Sequence, residues 1–578
     1  MSRNPQNQLG SPWRAPGVAA GLLLVAIMVG LHLPRAFLTL PLYAGDEGAY
    51  LIRALFSAGL KADPSLYPTL PDVDNTVFFW IVRLVYALPG PGLDTLRLLG
   101  GGAYIGGLIL VWRGVRPYLP EADAAGVLLL ALIFPYYRFV FSALPEGWYV
   151  GLLGLIICLT ARFYRPRPWL HAASLGALTA VLVLIKPHGV AVAAGFVGLV
   201  VVDAALDAQR RLLVGVGRIA LFAAVFLLVG HGLQALAGHG GPKSLLFFGN
   251  GFYSTILGGA DGQDAGHIGQ VAFFTMGAAS LLLAGVPIIL GLDRLGYRWG
   301  AEAGRFQLRG QDLAFLLTLL AFGATLVMVA MFAAKISGVA VSESFRLWGR
   351  YFEFFTPLLW LTAWPYVREA EAWPDRHVLS AGVVLAGLAG LAVALKSGVA
   401  LLPWDGTAVS AFFIPNSPPW PEITRFPFFA LASMATLGLI VLTLVRARTL
   451  AVWQAYFAVL GILSVGLDQA WWSSIAIDRD DLVAEAKMAQ RLIAPIPGPV
   501  AVFTDDPNAG ASLFLAFAAR PHLIMTAPGA GLDAATLAPY RTAIVEGGAK
   551  PTDPAWRLVQ TGKQLRVYQR GSLDTPIR

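Results

Sequence analysis

Runs of roughly 17 to 25 apolar residues return along almost the whole of this chain, the length at which a helix crosses the hydrocarbon core of a bilayer. With 57% of the 578 residues hydrophobic and 13% charged, no water-soluble fold could hide that much apolar surface. The spacing predicts spans near 17–34, 94–112, 122–137, 147–161, 170–185, 188–205, 214–236, 270–291, 312–334, 353–366, 377–395, 427–445 and 450–468. The expected fold is an all-α polytopic membrane bundle of about thirteen helices over residues 1–468. Met1 to Gly17, with Arg3 and Arg14 before an apolar stretch, resembles a secretory signal. No small-residue cleavage pattern follows Leu33-Pro34, so an uncleaved first span is expected.

The net charge of +8 is spread in ones and twos between the apolar runs and forms no dense basic patch of the kind nucleic acid requires. It marks topology instead. With the amino terminus in the cytoplasm, Arg113 and Arg116, then Arg162, Arg165 and Arg167, then Arg210 and Arg211 fall on one side. Arg294, Arg298, Arg305, Arg309, Arg368, Arg376, Arg446 and Arg448 join them, as the positive-inside rule demands. The opposite, periplasmic side then receives the long loops 35–93, 237–269, 335–352 and 396–426 and the tail 469–578. Function is expected there, since the cytoplasmic links are short. Segments 46–60 and 75–88 of the first loop are amphipathic and too short to span, so they should lie along the membrane surface. Strand patterns at Pro499–Asp506, Pro521–Thr526, Thr542–Glu546 and Gln564–Arg570, with a helix at Ala509–Arg520, predict a small periplasmic α/β domain. The single cysteine, Cys158, excludes a disulfide framework and a thiolate metal site.

Chemistry-bearing residues gather at the predicted periplasmic ends of the spans. Gly45-Asp46-Glu47-Gly48 opens the first surface helix, where Asp46 shares a face with Tyr50 and Arg53, and Glu47 shares the apolar row of Leu51, Ala54 and Ala58. That spacing favours Asp46 as the group facing a polar cavity; helix capping by Asp46 and a dipole role for Glu47 is the competing reading. A second acid, Glu146, follows Pro145 in a tight turn that begins with Arg138, and capping again competes. Lys186-Pro187-His188 breaks a hairpin between two spans, where a lysine can also snorkel to headgroups. Arg346, Arg350, Tyr351 and Glu353 crowd charge and aromatics at another helix end, with interfacial anchoring the alternative. Jointly, carboxylates and cations on one face suit lipid-phosphate chemistry: a carboxylate as general base on a hydroxyl, and Arg and Lys to neutralise a departing phosphate.

The order of these features resembles the type-C glycosyltransferases, integral membrane enzymes that use polyprenyl-phosphate sugars, such as the aminoarabinose transferase and protein O-mannosyltransferase groups. The local matches are Asp46-Glu47, Glu146, Lys186-Pro187 and Arg350-Tyr351. The resemblance implies a bacterial inner-membrane enzyme that moves a sugar from a polyprenyl monophosphate to an acceptor hydroxyl on the periplasmic face by inverting displacement. Asp46 would be the catalytic base and Glu47 its neighbour, with Glu146 orienting the acceptor or assisting a metal. Lys186 and Arg350 would hold the donor phosphate together with His188, Arg346 and Tyr351, supported by Tyr50, Arg53 and Arg138. If a divalent metal takes part, Asp46 and Glu146 are the carboxylates to hold it; no cofactor follows from the residues. Two departures stand out. Asp72-Val-Asp74-Asn75 replaces the Lys-Pro-Pro-Leu segment of the aminoarabinose group, and the second-loop acid is Glu rather than Asp.

A transporter or flippase of lipid-linked saccharide is the alternative function. It would carry ionisable residues well inside its spans, and these spans are nearly free of charge. A third reading makes the tail a binding module for other envelope proteins; its Thr504-Asp505-Asp506 turn is read as capping. The aromatics Phe252, Tyr253, Trp404 and Trp420 in the loops 240–267 and 403–427 suit either sugar stacking in a mobile gate or surface packing.

Overall fold

The computed structural model describes residues 16–37, several positions between 47 and 54, 75–89, 92–206, 212–238, 244–248, 265–302, 306–336, 346–369, scattered positions between 382 and 408, 450–493, 495–496, 500–504, 521–525, 532–546 and 550–571. Among these, eight helices are long and apolar enough to cross a membrane. The expected span 427–445, the helix at 509–520, Asp46, and the aromatics Phe252, Tyr253, Trp404 and Trp420 lie outside the described residues.

In chain order the helices are α1 (Pro16–His32), α2 (Thr76–Ala87), α3 (Gly92–Val115), α4 (Glu121–Ile133), α5 (Tyr137–Val140), α6 (Glu146–Phe163), α7 (Pro168–Ile185), α8 (Gly189–Leu206), α9 (Leu212–Leu236), α10 (Ala265–Ala301), α11 (Gly310–Ile336), α12 (Phe355–Glu369), α13 (Leu450–Ile493) and the single turn α14 (Ala534–Leu537). The chain divides into two compact units, one of Met1–Leu33, Gly101–Val140 and Pro145–Gln469, the other of Pro34–Gly100, Phe141–Leu144 and Ala470–Arg578.

Within the first unit, consecutive helices α6, α7, α8 and α9 pack against their neighbours, and α11 lies against α6, α8, α10 and α12. Small residues allow the closest approach. A Cβ on Gly107 of α3 would sit 2.6 Å from the Val150 carbonyl oxygen of α6, and one on Gly154 would meet the Gly107 backbone itself. Such glycine contacts let two helices join through backbone where lipid offers no hydrophobic incentive to associate. One expected span is corrected. The run 122–137 is not one helix, because Pro135 has no N–H to donate and pushes Phe134 to an extended conformation (φ −56°, ψ 128°). Helix α4 therefore stops at Ile133, and α5 restarts as one turn that carries Arg138.

In the second unit, α2 buries Phe78, Phe79, Val82 and Val85, with Tyr86 half-buried and Arg83 exposed. The carboxy-terminal part is a five-stranded sheet of β1 (Val500–Thr504), β2 (Pro521–Met525), β3 (Thr542–Glu546), β4 (Trp556–Thr561) and β5 (Leu565–Arg570) in the order β2-β1-β3-β5-β4. Strands β2, β1 and β3 are parallel, and β5 pairs antiparallel with both β3 and β4. Phe503, Val545, Trp556 and Tyr568 are among the residues of its core.

Candidate active site

The tight links between helices of the first unit carry the site. Lys186 precedes Pro187, which forces it into an extended conformation (φ −152°, ψ 126°) and ends α7. Its amide still donates to the Leu182 carbonyl at 2.9 Å, and the Gly189 amide donates back to the Lys186 carbonyl at 2.9 Å. The turn is so close that a Cβ on Gly189 would lie 2.6 Å from the Val183 nitrogen. Arg350 sits in a 3-10 turn, Gly349–Tyr351, that leads into α12. Glu146 is the first residue of α6, and Pro145 before it offers no side-chain cap.

These three residues meet. Glu146 Oε1 accepts from Lys186 Nζ at 2.9 Å and from Arg350 Nε at 2.6 Å. All three side chains are buried, Glu146 completely. The carboxylate, at the first position of α6, is thus the shared counter-ion of two cations drawn from residues far apart in sequence. Its second oxygen, Oε2, is buried and has no hydrogen-bond partner among the described residues. An acceptor-only atom in that position calls for a donor, such as a hydroxyl or a water.

Aromatic rings wall the cluster. Lys186 Nζ lies 4.7 Å from the Tyr351 ring centre, and the His188 ring stacks on the same Tyr351 at 4.8 Å. Burial, with the Lys186 and Arg350 cations beside it, pushes the His188 imidazole well below its ordinary range, so it is neutral at pH 7. Arg350 and Arg138 each lie 5.6 Å from the centre of the Phe139 ring. The Arg350 carbonyl accepts from the Tyr136 hydroxyl at 2.6 Å, and the Tyr136 ring packs on Phe139 and Phe354. Arg346 sits over Trp348 at 4.1 Å, and Trp348 is 5.7 Å from Tyr351. Glu146, Lys186, His188, Arg350 and Tyr351 are therefore brought together, with Arg138 and Arg346 at the margins.

Two partners escaped the sequence reading. Tyr136 was hidden in an expected span, and only the Pro135 break puts its hydroxyl on the Arg350 turn. Glu353, noted only as part of a charged cluster, is fully buried, and its Oε2 accepts from the Thr407 amide at 2.7 Å, the Thr407 hydroxyl at 3.0 Å and the Ala408 amide at 3.2 Å. It ties residues 406–408 of the 396–426 loop to the segment bearing Arg350.

The expected first-loop residues belong to the second unit. Glu47 is buried on the row of Leu51 and Ala54, as its spacing implies, and its carboxylate is spoken for. Arg97 of α3 reaches it through Nη2 at 3.1 Å and Nε at 3.4 Å, and the Ala143 amide donates to Glu47 Oε1. Both partners are fully buried. Tyr50 meets Phe78 edge-on at 5.6 Å, and Arg53 is half-buried in the same short helical stretch. Asp46, the expected base, adjoins Glu47 but lies outside the described residues. Among the described residues no three His, Cys, Asp or Glu side chains converge as a metal site.

No protein-family model matches the sequence, and no curated protein matches it. Solved structures match in fold. The crystal structure of ArnT from Cupriavidus metallidurans bound to undecaprenyl phosphate aligns with a TM-score of 0.51 at 15% identity, covering 97% of this chain and 99% of that one. The same protein in its apo state gives 0.52 at 15% identity, over 96% and 99%. The chain shares the fold of these ArnT structures, a bundle of apolar helices with a small carboxy-terminal sheet.

Proposed function

We propose that the protein is a multi-pass inner-membrane glycosyltransferase that moves a sugar from a polyprenyl monophosphate to an acceptor hydroxyl on the periplasmic face. The observation that carries this reading is the buried Glu146–Lys186–Arg350 cluster in a fold like that of ArnT, a protein crystallised with undecaprenyl phosphate. Lys186 and Arg350 hold their charges away from water, where they act strongly on a phosphate. In the transfer, the acceptor oxygen forms a bond to the anomeric carbon as the bond from that carbon to the phosphate oxygen breaks. The electron pair leaves with polyprenyl phosphate, neutralised by Lys186 and Arg350. The acceptor proton passes to Asp46, with attack from the opposite side inverting the anomeric centre. Glu146 Oε2 would accept from a hydroxyl of sugar or acceptor, and Glu47, held by Arg97, would position the base. A flippase would need polar lining along its spans; the ion pairs Arg298–Asp312 and Arg165–Asp203 instead lie near helix ends.

The test is incubation of the purified protein with a panel of polyprenyl-phosphate sugars, scored by mass spectrometry for hydrolysis or transfer. We expect free polyprenyl phosphate from at least one donor, no transfer by Asp46→Asn, and donor binding retained in that variant. Lack of release from every donor would reject the enzyme class, and wild-type turnover by Asp46→Asn would reject the base.

A further inference from the structure

A second guanidinium cluster, of buried Arg218 and half-buried Arg165, lies at the other end of the same helices. Glu146 and Lys186 mark one end of the α6 and α7 pair; Tyr164 and Arg165, in the link between those two helices, mark the other. There a cavity of about 70 Å³ is lined by Tyr164, Arg165, Asp203 and Arg218, with aliphatic walls from α8 and α9. Asp203 is committed: one oxygen accepts from the Tyr164 hydroxyl at 2.9 Å and the other from Arg165 Nη2 at 2.5 Å. Arg218 differs. It is 5% exposed, its guanidinium carbon is 3.7 Å from the Tyr164 ring centre, and its Nε and Nη2 are buried without a hydrogen-bond partner among the described residues.

Those two nitrogens form one edge of the guanidinium fork, the edge that fits two oxygens of a phosphate or carboxylate in parallel. The cavity has space for roughly five water-sized groups, the size of a phosphate with its four oxygens. Arg218 is the seventh residue of α9, so it stands about 9 Å along the axis from the helix start. A charge placed there is expensive in hydrocarbon and reaches toward headgroup depth, where lipid phosphates already reside. We propose that this cavity is an anion site for the phosphate of a net-anionic lipid headgroup, separate from the donor site and independent of the transferase reading.

Native mass spectrometry of the purified, delipidated full chain tests it, with phosphatidylglycerol, phosphatidylcholine or inorganic phosphate added singly. The wild type should retain phosphatidylglycerol over phosphatidylcholine. Arg218→Lys keeps the charge but loses the two-nitrogen edge, and Ala204→Leu fills the cavity from α8; each should weaken that retention about tenfold. A thermal shift with inorganic phosphate that Ala204→Leu abolishes, without lipid retention, would support the same site with free phosphate as its ligand. A wild type with neither lipid preference nor a phosphate-dependent shift overturns the proposal, as does undiminished preference in either variant.

Discussion

A buried carboxylate is informative through what it leaves unsatisfied. Glu47 and Arg97 neutralise one another without exposure, so Glu47→Gln would strand a buried guanidinium at a cost of about 3 to 5 kcal/mol. We expect the variant to show a strongly lowered melting temperature in detergent; an unchanged one would mean that Arg97 finds another acceptor. His188 makes a second, signed prediction. Its pKa is depressed in the folded chain, so below about pH 6.5 the unfolded chain takes up a proton that the folded one refuses, and stability falls with pH. His188→Phe keeps the stack on Tyr351 and removes that proton. Between pH 7.5 and 5.5 the variant should gain about 1 kcal/mol relative to wild type, read from paired melting curves. Parallel curves would show that folding does not depress the His188 pKa. The candidates Glu146, Lys186, His188 and Arg350 could each be picked from the sequence because charge is rare beside apolar spans. That a single carboxylate oxygen serves two cations could not, since it depends on residues some two hundred positions apart.

At the level of elements, most of the helices followed directly from apolar run length, and the exceptions have local causes. Pro135 divides an expected span, and the break delivers Tyr136 to the Arg350 turn. Strand β4 went unseen because only Trp556 of its six residues is buried and a bulge between Leu558 and Gln560 disturbs its alternation. Its hairpin with β5 is held from α13, where Glu485 accepts from the Lys563, Gln564 and Leu565 amides at 2.6, 3.0 and 2.8 Å. Between α3 and α6 the backbones meet at Gly107, Gly151 and Gly154. Gly154→Leu would have to displace the Gly107 backbone, and overpacking of this kind costs about 1 to 3 kcal/mol or more. Because α6 starts with Glu146, we expect donor affinity to fall with stability in this variant. Full affinity in a folded Gly154→Leu protein would uncouple the helix contact from the site.

For the whole molecule, the division of labour follows from where the cations lie. Glu146, Lys186, His188, Arg350 and Tyr351 all belong to the first unit, whereas the sheet belongs to the second. A chain ending after residue 496 should therefore still bind a polyprenyl-phosphate donor with roughly unchanged affinity while transfer to the acceptor drops; complete loss of donor binding would assign the sheet a part in the donor site. Membrane residence and span lengths are one-dimensional properties, because bilayer thickness meets each apolar run separately. The pairing of Glu146 with Lys186 and Arg350, of Glu47 with Arg97, and of Arg218 with Tyr164 depends on helix contacts that no local pattern encodes. Burial then makes each pairing compulsory, since a charge inside the bundle must find its counter-charge, ring or ligand wherever packing has placed one.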